Sequence, residues 1–196
     1  MSKSRVSPES RAIRIVLVED DADDAELVRA RLAEAGLRID LERVESRPTF
    51  RAALVRGGVD LVIADYSLPR IDGVAVLELA RELSPGIPVV LISGVMGEDL
   101  AVETLKLGAT DYVLKQRLDR LVPVVLRALR ESEARRRTLV EVREASREVR
   151  DCATALESDQ AEPLRSVSLR ALTMLHGAIE QLELLLAKAL GERPRA

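Results

Sequence analysis

The chain has 196 residues, a formal charge of −3 and 47 % hydrophobic residues, while aromatics make up only 2 %. That length suits one domain of ordinary size plus an appendage around an aliphatic core, and the charge gives no argument for a nucleic-acid partner. A lone cysteine, Cys152, excludes an internal disulfide and suits a reducing compartment. No apolar run approaches the roughly 20 residues of a membrane span, and the polar amino terminus has no signal-peptide core. A soluble, cytoplasmic protein is therefore expected.

Residues 1–11 are polar, with Ser and Pro, and read as a loose tail. Ile13 to Val18 is a β-branched run, read as a first buried strand, and ends in Glu19-Asp20-Asp21. Asp21 to Ala35 carries Ala25, Leu27, Val28, Leu32 and Ala35 at helical spacing, stopped by Gly36. Ile39 to Val44 alternates apolar and charged residues, as a strand nearer an edge does. Pro48 to Val55 reads as a short helix closed by Gly57-Gly58.

Val59 to Asp65 is an apolar run rich in Val and Ile, the pattern of a parallel strand buried on both faces. It ends on an acid, and Pro69 and Gly73 punctuate the loop after it. Gly73 to Leu83 is helical in pattern, Pro88 to Ile92 is a second doubly buried strand ending in Ser93-Gly94, and Leu100 to Leu107 is helical again. Asp111 to Leu114 is a short last strand ending in Lys115, and the pattern is helical from Leu118.

This alternation of strands and helices implies a parallel sheet with helices on both faces. The carboxyl ends of parallel strands share one edge, where such sheets bind ligands. Glu19 and Asp20, Asp65, Ser93 and Lys115 are therefore expected to converge there. Clustered carboxylates repel, and a hard dication relieves them. Asp20 and Asp65 can ligate Mg2+, with the backbone carbonyl of Ser67 as a third ligand. One oxygen of Asp65 is then left to attack phosphorus. Lys115 can neutralise a phosphoryl oxygen and Ser93 can donate a hydrogen bond to another. Residue types alone thus point to an aspartyl phosphate formed with Mg2+.

Val18-Glu19-Asp20-Asp21, Asp65 with Leu68-Pro69 and Asp72-Gly73, Ile92-Ser93-Gly94, and Gly108-Ala109-Thr110-Asp111-Tyr112-Val113-Leu114-Lys115 agree in order and spacing with one family. From about Ile13 to Arg130 the chain resembles the receiver domain of bacterial two-component response regulators. The resemblance implies a flavodoxin-like α/β fold with five parallel strands in the order 2-1-3-4-5. It implies that Asp65 is the phosphoacceptor for a histidine kinase and that Glu19, Asp20, Asp65 and the Ser67 backbone hold Mg2+. It further implies that Ser93 and Lys115 sense the phosphate, and that Tyr112 is an aromatic switch. Glu19 stands where many members have Asp, so its longer arm is expected to reach the metal through water. Gln116 stands where most have Pro, which leaves the geometry after Lys115, including any cis peptide, open. Taken singly, a strand-end Asp is a cap or turn residue, Ser93-Gly94 is turn chemistry and Tyr112 is a packing residue. The five filled positions together weigh against those readings.

The sequence divides into a tail (1–11), a receiver domain (12–131) and a helical extension (132–196). Glu131 to Arg137 is charged on all faces. Leu139, Val142, Ser146, Val149, Ala153 and Leu156 follow as a thin coiled-coil seam, with Cys152 a small residue beside it. Ser158 to Pro163 breaks the helix, and Leu164 to Leu190 carries a wide apolar stripe. A helical hairpin completed by a second copy as a four-helix bundle is expected, hence a homodimer. His176, the only histidine, borders this stripe. A phosphorylatable histidine is the sharper reading and a boundary packing residue the blander. Gly177-Ala178-Ile179-Glu180 matches no phosphotransfer or kinase pattern, which favours packing.

The expectation is a response regulator in a phosphorelay, not an enzyme. Its partners would be a sensor histidine kinase or phosphotransfer protein and a downstream protein, with neither nucleic acid nor membrane. The alternatives are a phosphorylation-independent adaptor, a fragment of a hybrid sensor kinase, or a phosphohydrolase of the haloacid-dehalogenase kind. Ser67 argues against the last, because those enzymes carry an acid two residues after the nucleophile.

Overall fold

The structure, a computed structural model, describes residues 11–94, 98–158, 173–177, 179–182 and 184, with the side chains of 98–100 and 148–158 excepted. The chain divides into two compact units, Met1–Ser132 and Glu133–Ala196.

The first unit alternates strand and helix: β1 (Ile13–Val18), α1 (Ala22–Glu34), β2 (Ile39–Val44), α2 (Arg47–Arg56), β3 (Leu61–Asp65), α3 (Gly73–Leu83), β4 (Val89–Ser93), α4 (Glu98–Lys106) and β5 (Asp111–Leu114). A 3-10 segment, Lys115–Arg120, leads into α5 (Leu121–Ser158). All strand pairs are parallel, in the order β2-β1-β3-β4-β5. This is the flavodoxin-like architecture, whose chain direction across the sheet switches between β1 and β3.

The two-residue period of a strand sorts its side chains onto opposite faces. Val16, Val18, Val62, Ala64 and Leu91 meet α2 and α3 through Phe50, Leu54, Val76 and Leu79. Ile15, Leu17, Ile63, Val90 and Ile92 meet α1 and α5 through Val28, Leu32, Leu121 and Val125. β3 and β4 are buried along their whole length, as their unbroken apolar runs require. Each fully buried Leu, Ile or Val here contributes roughly 1.5–3 kcal/mol, so these two layers hold the sheet edge in place.

Several boundaries differ from the sequence reading by a residue or two, β3 starting at Leu61 and α4 at Glu98, and at two elements the reason is local. α2 begins at Arg47 because Ser46 caps it: Thr49 N–H donates to Ser46 Oγ, and Thr49 Oγ1 accepts from the Ser46 amide at 3.2 Å. Thr thus does what Glu or Gln does in a capping box. The helix expected from Leu118 is instead a 3-10 segment as far as Arg120. Arg117 lies off the helical region at φ −124° and ψ 40°, while Leu118 still reaches the core. Every described peptide bond is trans, including that between Lys115 and Gln116.

In the second unit α5 continues to Ser158, and residues 173–177 and 179–182 are helical. Leu139 and Ser146 are buried and Val142 is half-buried, so the described part of the expected seam is the covered face of α5. The expected break at 159–163 and most of the stripe beyond it lie outside the described residues. No helix among the described residues is long and apolar enough to cross a membrane.

Candidate functional site

The strand registers bring the carboxyl ends together. Val18 pairs with Ala64, Asp65 with Ile92, and Ser93 with Leu114. Glu19, Asp65, Ser93 and Lys115 therefore emerge side by side on one edge of four adjacent strands.

Asp65 is buried at the end of β3. Its Oδ1 accepts from the Ser67 amide at 2.9 Å, and its Oδ2 lies 2.6 Å from Lys115 Nζ. The loop beyond is drawn shut by the Gly73 amide, which donates to the Tyr66 carbonyl at 3.1 Å. A side chain at Gly73 would place its Cβ 2.6 Å from Tyr66 Cδ2, so the close approach needs glycine. Asp72 then caps α3 by accepting from the Ala75 amide at 2.7 Å. The capping role that a strand-end Asp often plays belongs here to Asp72, leaving Asp65 to the pocket.

Glu19 is buried. Its Oε1 accepts from the Asp21 amide at 3.2 Å, and its Oε2 lies 3.2 Å from Lys115 Nζ. Burial pushes its carboxyl above the usual range; the Asp21 amide and Lys115 pull it back, and the neighbouring Asp65 charge adds to the rise. Asp20, beside it, is exposed. Arg43 of β2 donates to the backbone carbonyls of Glu19 at 3.3 Å and Asp20 at 3.1 Å, propping the acidic turn from below.

Lys115 Nζ also pairs with Asp24 on the first turn of α1. Burial opposes its charge, yet the hydrogen bonds it donates to Asp24, Asp65 and Glu19 hold its pKa well above the usual lysine value. Neither Asp24 nor Arg43 was singled out by the sequence. Asp24 reads as one of two acids favoured near a helix N-terminus, and its partner is 91 residues away. Arg43 reads as an ordinary charge on an edge strand.

Ser93 is fully buried at the end of β4. Tyr112 is half-buried, packed against the core layer beneath α2 and α3. Ser67 meets Asp65 through its amide. His176 lies in the second unit and is half-buried; its Nε2 is 3.1 Å from Glu180 Oε1, one helical turn on. Among the described residues, no three His, Cys, Asp or Glu side chains form a ready-made metal site.

A sequence-family model described as the response regulator receiver domain matches residues 15–126, more than half of the chain. The chain belongs to the response regulator receiver family. The receiver is 36 % identical over 106 residues to the transcriptional regulatory protein ZraR of Escherichia coli, covering 53 % of this chain and 23 % of that one. It is 33 % identical over 112 residues to a protein-glutamate methylesterase/protein-glutamine glutaminase of Paramagnetospirillum magneticum, covering 56 % and 29 %. This chain thus spans under a third of either relative's length. In structure, the receiver is similar to the receiver domain of NtrX from Brucella abortus, with a TM-score of 0.54 at 33 % identity over 59 % of this chain and 98 % of that one. It is likewise similar to a longer NtrX structure from the same organism, with a TM-score of 0.59 at 32 % identity over 65 % and 29 %.

Proposed function

We propose that this chain is a phosphorylation-controlled response regulator. Asp65 accepts a phosphoryl group from a sensor histidine kinase or phosphotransfer protein, with Mg2+ bound, and the helical unit passes the change to a downstream protein. The observation that carries this reading is the buried Asp65 carboxylate at a strand end, sharing Lys115 with Glu19 at 2.6 and 3.2 Å.

Three carboxylates (Glu19, Asp24 and Asp65) share one ammonium, Lys115, with Asp20 exposed beside Glu19 and the Arg43 guanidinium on the backbone carbonyls of that turn, so acid is in excess. Such a donor set gains from a hard dication, and two carboxylates with water suffice for Mg2+. Asp20 and Asp65 would hold it, with Glu19 acting through water and the Ser67 carbonyl as a further ligand. Bound Mg2+ supplies charge neutralisation at the phosphoryl oxygens. One Asp65 oxygen forms the bond to phosphorus as the donor's phosphorus–nitrogen bond breaks, and the departing imidazole takes up a proton. Lys115 then exchanges its carboxylate partners for a phosphoryl oxygen. The Ser93 hydroxyl turns toward another, and Tyr112 follows it.

In the second unit, Leu175 and Leu182 are seven residues apart in sequence, the spacing of one helix face, and are 52 % and 53 % exposed. Such a face calls for cover, and a second copy of the chain supplies it as a homodimer. His176 serves as a packing residue beside this face.

Incubation with radiolabelled acetyl phosphate and Mg2+ tests the proposal. Label is expected on the wild-type chain, lost with EDTA and lost in Asp65→Ala. Labelling that survives either change would refute it.

A further inference from the structure

We infer that Gln116 is a positioning residue: its side-chain amide latches Gly94 and so sets how readily Ser93 moves onto a phosphoryl group at Asp65. This rests on the reading of Asp65 as phosphoacceptor and Ser93 as its sensor.

Gln116 Nε2 donates to the Gly94 carbonyl at 2.8 Å. The bond ties the residue after Lys115 to the residue after Ser93. It therefore joins the two strand ends that must both adjust when charge arrives at Asp65. A proline in this position, with neither amide side chain nor N–H, could not make it.

The identity of residue 94 points the same way. Among the described residues a Cβ built on Gly94 would meet nothing within 4 Å, and its φ lies outside the left-handed region. Neither space nor backbone strain requires glycine there. What glycine retains is backbone freedom, so the chain leaving β4 has a pivot beside a fully buried hydroxyl. Gln116 restrains that pivot in the unliganded protein. When Ser93 turns toward a phosphoryl oxygen, the Gly94 carbonyl turns with it and the latch opens. Opening costs one exposed hydrogen bond, which lowers the affinity of the pocket for a phosphoryl group by about two- to fivefold.

Calorimetric titration of beryllofluoride, a stand-in for the phosphoryl group, into the full chain at fixed Mg2+ tests this. Gln116→Met keeps the length of the side chain but cannot donate. It is expected to bind beryllofluoride about two- to fivefold more tightly than wild type, with the urea midpoint of the unliganded protein lowered by the matching free energy. A purely structural role would lower that midpoint and leave the affinity alone. In the wild-type chain, the NMR signals of the Gln116 side-chain amide are expected to shift on adding beryllofluoride. Equal or weaker binding by the variant, or amide signals that do not move, overturns the latch alone, provided wild-type binding still depends on Asp65. If the wild type binds no beryllofluoride, or Asp65→Ala still binds it, the phosphoacceptor reading fails and the latch fails with it.

Discussion

Asp20 is exposed beside the buried Glu19 and four residues before Asp24. If Asp20 holds Mg2+ as proposed, its charge in the metal-free protein is a cost to the fold kept for binding. Asp20→Asn is therefore expected to raise the stability of the metal-free protein in urea by about 1 kcal/mol and to abolish the further rise that Mg2+ gives the wild type. An unchanged Mg2+ effect would remove Asp20 from the site. Asp21 has a separate task. The amides of Asp24 and Asp23 hydrogen-bond its carboxylate and hold it below the usual aspartate range. Its pKa is lower folded than unfolded, so its contribution is present above the ordinary aspartate value and is lost as pH falls through the lowered one. Asp21→Asn still caps α1 but does not titrate. Its stability is expected to fall less steeply than the wild type's in that acid window, measured by urea denaturation as a function of pH.

The strands made the site legible. β3 and β4 are apolar throughout, which only burial on both faces explains, and both end on a polar residue where a parallel sheet presents its edge. Asp65, Ser93 and Lys115 could be placed there from the sequence alone. The ion pair from Lys115 to Asp24 could not, because nothing local marks a first-turn acid as facing the pocket. The 3-10 segment after Lys115 escaped for a related reason: Leu118 and Leu121 keep helical spacing, while Arg117 leaves helical geometry without any sequence signal. Caps were legible only in part. Asp72-Gly73 stood out as a motif, and its structural work is the bond from the Ala75 amide. Asp72→Ala is expected to cost about 1 kcal/mol of stability, read as a urea midpoint shift, with the Asp65 pocket still able to bind beryllofluoride.

The chain as a whole joins a pocket of acids to a helical unit that leaves Leu175 and Leu182 half exposed. If a second copy covers that face, light scattering at micromolar concentration gives a dimeric mass for the wild type and a monomeric one for Leu182→Glu. Circular dichroism would show that the receiver remains folded. A monomeric wild type would rule out the homodimer and leave the face to a different protein. The long helix α5 begins on the receiver core and runs on past Ser132.

Reduction of the phosphorylated chain with borohydride converts an aspartyl phosphate to homoserine, and peptide mapping by mass spectrometry locates it. Homoserine at position 65, dependent on Mg2+ and absent from untreated protein, is the expected result. Homoserine at Asp20 or Asp24, or phosphate found on His176 with position 65 unmodified, would contradict it.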